Sequence, residues 1–135
     1  MSRSGVALRV ALLPVVMLAG VMLYGQAVIV ATKLMPVPDT GPLTIAVQIS
    51  QGFLAATLNA ALACYPLARL YGRAATGMAA LIALAVAAGT LHGSGDDSDA
   101  TALLLRGWAL LCCAVLLTGG TWLVARRRLA DASAR

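Results

Sequence analysis

Apolar residues along this chain neither alternate nor keep to one helical face. They run in four blocks, at residues 10–32, 43–67, 74–91 and 101–125, separated by short polar or proline-bearing breaks. A helix needs about 20 apolar residues to cross the hydrocarbon core of a bilayer, so the pattern predicts four membrane-crossing helices. The expected fold class is therefore all-α: a polytopic membrane protein, a four-transmembrane-helix bundle, forming one integral membrane domain over residues 1–135. Arg9 and Lys33 bound the first block, Pro42 and Arg69 the second, Arg73 and His92 the third, and Arg126, Arg127 and Arg128 close the fourth.

The breaks have their own chemistry. "MPVPDTGP", residues 35–42, cannot continue a helix, because proline lacks the amide donor and restricts the residue before it. "HGSGDDSD", residues 92–99, is turn-forming and offers Ser98 or Asp99 as a cap for the next helix. Pro14 predicts a kink in the first span. In the third block Ala75, Ala79, Ala83 and Ala87 recur every four residues. Such a ridge lets backbones approach closely, and a packed position is expected for that helix. The two halves of the chain share no further likeness, so no internal duplication is inferred.

Composition sharpens this picture. Hydrophobic residues make up 61% of the chain and charged residues 11%, against about 25% charged in ordinary soluble domains. The net charge of +5 does not point to nucleic acid, because the arginines sit at the ends of apolar runs. With four spans both termini share a side. That side holds Arg3, Arg9, Arg69, Arg73, Arg126, Arg127, Arg128 and Arg135, whereas the other holds Lys33 and Arg106 with Asp39, Asp96, Asp97 and Asp99. The excess of positive charge marks the cytoplasmic side, so the expected setting is a bacterial-type inner membrane with N and C termini inside. Trp108 and Trp122 lie about 21 Å apart on a helix, a spacing that suits one indole at each interface. The competing reading of the first block is a cleaved signal peptide, with Arg3 and Arg9 before it and "GQA" as the cleavage site. The apolar run continuing through "VIVAT" favours a retained helix.

Polar residues inside the spans are the candidate functional groups. Thr44, Gln48, Gln51, Ala55 and Asn59 form one stripe on the second span. An unpaired amide in hydrocarbon is costly, about 4–8 kcal/mol on a cyclohexane scale, so the stripe must face protein or a wet cavity. Gln26 lies seven residues inside Lys33, at a depth matching Gln48 and Gln51, and is expected to pair with one of them. Asn59, deeper, is expected to bond a backbone carbonyl, the Thr118 hydroxyl or a water. Arg106 sits at a depth close to that of Gln48. It has two alternatives: to snorkel outward, or to turn in and complete a polar cluster of Gln26, Gln48, Gln51 and Arg106 able to take an anionic or polar ligand.

The remaining chemistry is sparse. Cys112 and Cys113 point about 100° apart on a helix and, with Cys64, read as buried small apolar residues. His92, Asp96, Asp97 and Asp99 read as a solvated loop rather than a metal site, and Asp39–Thr40–Gly41 as a turn. No catalytic constellation, phosphate loop or intramembrane carboxylate is present in the sequence, so no enzyme activity, cofactor or metal is expected. Small multidrug transporters match this chain in length and span count, but they depend on a glutamate in the first helix that this sequence lacks. Two functions fit. One is a structural or accessory subunit that packs against a larger membrane complex or forms a homo-oligomer. The other is a small oligomeric transporter, channel or lipid- or quinone-binding protein that uses the polar cluster.

Overall fold

The computed structural model describes residues 3–38, 41, 43–92 and 99–133. It contains α1 (Arg3–Leu34), α2 (Leu43–Tyr71), a 3-10 turn (Gly72–Ala74), α3 (Ala75–His92) and α4 (Ala100–Ser133), with no strand among the described residues. Three helical runs, not four separate ones, are long and apolar enough to cross a membrane: Ala7–Leu34, Leu43–His92 and Ala100–Asp131. These runs mark an integral membrane protein. The expected second and third spans belong to one 50-residue run, because the break between them is itself a single 3-10 turn and not an open loop.

That middle run is bent back on itself. A straight 50-residue helix would be about 75 Å long and would carry Ile82 about 28 Å beyond Ala63. Instead Ile82 of α3 and Leu62, Ala63, Pro66 and Leu67 of α2 line one small apolar cavity of about 270 Å³. The reversal falls at Gly72, whose φ of +54° is a left-handed conformation that a residue with a Cβ rarely adopts.

Helix ends overrun the expected limits. α1 begins at Arg3 and α4 continues to Ser133, because the arginines flanking the apolar blocks are good helix formers that carry each helix past the apolar run. Pro14 and Pro66 both lie inside continuous helices. Asp99 caps α4: the Thr101 amide donates to Asp99 Oδ1 at 3.1 Å. The expected turn at Asp39 and Thr40 and the loop residues Asp96, Asp97 and Ser98 lie outside the described residues.

Packing fixes the register. α2 and α4 run parallel and make the most extensive contact. Gly52 faces Ala109, Asn59 faces Cys113, and Cys64 faces Leu117 and Thr121. A Cβ added at Gly52 would lie 3.1 Å from that of Ala109, so the helices are nearly in backbone contact there. α1 runs antiparallel to α2: the Tyr71 hydroxyl donates to the Arg9 carbonyl at 3.5 Å near one end, and Ala27 and Ala31 cluster with Ala55 toward the other. α3 packs on both α1 and α4. Its alanine ridge is half engaged, with Ala75 and Ala79 fully buried and Ala83 and Ala87 partly so. Gly20 of α1 admits Ile82, which would sit 2.8 Å from a Cβ there.

The core is made largely of small residues, and large apolar side chains such as Leu18, Phe53, Leu84 and Leu104 are exposed on the outside. This inversion of a soluble protein suits a helix bundle held by close backbone approach and bathed in lipid. Arginines gather at one end. Arg128 stacks over Tyr65 at 4.5 Å and Arg126 over Trp122 at 5.3 Å, alongside Arg9 near Tyr71. Lys33, Asp99 and Arg106 lie toward the opposite end.

Candidate functional site

Toward the end away from the arginines, the apolar core divides. A small cluster of Ala27, Ala31 and Ala55 separates from the main core, and residues of all four helices surround a cavity of about 400 Å³. α2 supplies its back wall with Gln48, Gln51, Gly52 and Ala55, which recur on one face of the helix. α4 contributes Arg106 and Ala109, α1 contributes Tyr24 and Thr32, and α3 reaches it with Thr90.

Gln48, Gln51 and Arg106 thus share one cavity, and Arg106 is partly buried with its side chain on the wall. Gln26 does not join them. It is exposed on α1 and does not line the cavity. The expected Gln26 pairing fails for a geometric reason. Tyr24, Ala27, Val28 and Ala31 form the inward face of α1, and a residue two places after Tyr24 is rotated about 200° from it. Gln51 has another partner: its Nε2 donates to the Met35 carbonyl, just past the end of α1. The last carbonyls of a helix have no intrahelical donor, so this amide ties the α1–α2 connection to the wall of the cavity. Gln48 makes no hydrogen bond among the described residues, so its amide is available to whatever occupies the space.

Arg106 is the only charged residue among the described residues that line the cavity. A guanidinium offers five donors in a planar fork that matches carboxylate and phosphate oxygens. In a low-dielectric setting its attraction for an anion is much stronger than in water. Tyr24, Thr32 and Thr90 add hydroxyls that sequence reasoning did not single out. Thr32 and Thr90 sit in the last turns of α1 and α3, and that shared depth was the available signal. Tyr24 was signalled by its four-residue spacing from Val28.

Below the cavity lies a tighter polar seam between α2 and α4. Asn59, 1% exposed, donates from Nδ2 to Cys113 Sγ at 3.5 Å. This corrects the expected carbonyl or Thr118 partner, since the Thr118 hydroxyl is turned to the Ala114 carbonyl of its own helix at 2.5 Å. No donor among the described residues reaches Asn59 Oδ1. About two turns further along α4, Thr121 donates to the Leu117 carbonyl at 2.5 Å and lies 3.5 Å from Cys64 Sγ. All three cysteines are free and buried. Among the described residues no group of His, Cys, Asp or Glu could hold a metal ion.

The molecule is thus an all-helical integral membrane protein with a polar, arginine-bearing cavity near one end. No family model matches the chain, and no curated protein or solved structure resembles it closely enough to count as a match.

Proposed function

We propose that this chain is a small protein of a bacterial-type inner membrane that crosses the bilayer four times, as a four-helix bundle, with both termini in the cytoplasm. In this reading it binds a polar or anionic ligand, a lipid headgroup, quinone or small solute, in the cavity near its outer face. The reversal at Gly72 supports a middle run that crosses twice. Placing the arginine-rich end in the cytoplasm follows from charge bias, and it sets the cavity in the outer half of the membrane. The observation that carries ligand binding is that Arg106 of α4 and Gln48 and Gln51 of α2 line one space. An arginine half-buried on the wall of a cavity within a membrane segment is a functional-site candidate by default.

The accessory-subunit reading draws on the exposed apolar side chains, which lipid covers equally well. The test is to purify the chain in a mild detergent and identify what leaves with it on organic extraction. A small molecule retained by the wild type and lost from Arg106→Ala or Gln48→Leu supports ligand binding. A preparation that carries no small molecule, is stable as part of a larger protein complex and is indifferent to Arg106→Ala supports the accessory subunit.

A further inference from the structure

We infer that the apolar cleft between α1 and α2 holds a neutral lipid alcohol of the diacylglycerol kind, its hydroxyl donating to the Leu62 carbonyl and a hydrocarbon chain filling the cleft. This site is separate from the cavity at Arg106, with which it shares no lining residue. The first observation is a missing donor. In an α-helix the carbonyl of Leu62 accepts from the amide four residues on. That residue is Pro66, inside α2, which has no amide hydrogen and whose ring pushes the Leu62 carbonyl aside. Helix carbonyls point toward the C-terminal end, so this oxygen faces the arginine-rich end, about 10.5 Å along α2 from Arg69. Within hydrocarbon a freed backbone acceptor needs a partner, and a neighbouring helix commonly supplies one. Here Val16, Gly20 and Leu23 of α1 and Ile82 of α3 line the same cleft, and none of them has a side-chain donor.

The second observation is the chemistry of the space. It measures about 270 Å³, and its nine lining residues carry no polar side chain. A buried water typically makes about three hydrogen bonds, whereas this wall offers one acceptor. A carboxylate or a phosphodiester brings no donor to a carbonyl. An alcohol brings one donor on an apolar body, and a dry cavity of roughly 150 Å³ already takes a benzene, so this cleft takes a segment of chain. The third observation is access. Ile82, 1% exposed, closes the inner side against Gly20, where a Cβ would lie 2.8 Å from it. On the outer side Ala19 is exposed and Leu62 is 60% exposed, so the cleft opens sideways to lipid.

The experiment uses the full chain in phosphatidylcholine nanodiscs that carry a minor share of one of two probes. One is dioleoylglycerol, and the other is the same molecule with its hydroxyl converted to a methyl ether. Native mass spectrometry reads what the chain retains. The expected result is saturable retention of dioleoylglycerol, about threefold to tenfold above the ether. Pro66→Ala gives position 66 an amide hydrogen that returns the Leu62 carbonyl to the helix, so that ratio should fall to about one. Ala19→Phe fills the mouth of the cleft from an exposed position and should abolish retention of both probes. Equal retention of the two probes by the wild type overturns the hydroxyl contact, and this comparison stands even if Pro66→Ala does not fold. A ratio unchanged in Pro66→Ala overturns the assignment to Leu62. Retention of neither probe, or retention indifferent to Ala19→Phe, overturns the cleft as a lipid site; so does a dimer that excludes both probes and dissociates in Ala19→Phe, because a second copy then fills the space. None of these readouts depends on Arg106 or Gln48, so the cavity there stands or falls separately.

Discussion

Replacing Asn59 by leucine should leave this protein as stable as before or make it more stable. Asn59 is 1% exposed, and its contact with Cys113 Sγ is a 3.5 Å bond to a weak acceptor. Its Oδ1 meets no donor among the described residues. Exchanging the two ends of the amide would only move the deficit to the nitrogen. A buried polar atom left unpaired costs about 1–3 kcal/mol, whereas an interhelical polar contact within a membrane averages about 0.6 kcal/mol. The balance is unfavourable to the amide by about 0–2 kcal/mol. Leucine keeps the branched four-atom skeleton of the amide and removes both terms, and its bulkier methyl groups offset part of the benefit, so Asn59→Leu should fall within that range. Asn59→Ala, which opens a void as well, should lose relative to leucine by a few kcal/mol. Reversible unfolding in mixed detergent micelles, followed by helical circular dichroism, measures both. A loss of more than about 2 kcal/mol for Asn59→Leu would refute the reasoning, because it would mean that Oδ1 has a partner worth keeping.

Ala79→Leu should cost about 1–3 kcal/mol by overfilling a contact in which Ala79 is 0% exposed. Leu81→Ala, at a position 43% exposed, should change stability by about 0.5 kcal/mol or less; equal effects on thermal unfolding would mean that α3 is turned the other way. Gly120→Ala puts a Cβ 2.8 Å from Cys64 Sγ and should destabilise by a similar amount. In a Cys64→Ala background that cost should fall by about 1 kcal/mol, and strict additivity in the double-mutant cycle would count against the close contact.

The apolar blocks made the helices legible, because hydrocarbon thickness sets a length that sequence can be measured against. The turn between α2 and α3 was not legible as a helical link: "YGRA" carries a glycine and an arginine, which suit an open loop as well as the 3-10 turn that forms. The members of the polar stripe on α2 serve different neighbours. Gln48 and Gln51 border the cavity, while Asn59 enters the seam with α4. Gln26 was placed by depth alone, and depth says nothing about rotation around the helix axis. The four-residue spacing of Ala27 and Ala31 carried that rotation. Cys113 as the partner of Asn59 had no signal in spacing, since the match depends on how α2 and α4 are set against each other.

The proposed function needs a middle run that crosses the membrane twice, with the arginine-rich end inside. Single-cysteine labelling in intact cells, in a chain whose three native cysteines are replaced by alanine, tests this most directly. Pro38→Cys and Asp99→Cys should react with a membrane-impermeant maleimide from outside, while Arg73→Cys and Asp131→Cys should react only after permeabilisation. Labelling of Arg73→Cys from outside together with Pro38→Cys would contradict the double crossing, and labelling of Asp131→Cys from outside would put the cavity on the wrong side of the membrane.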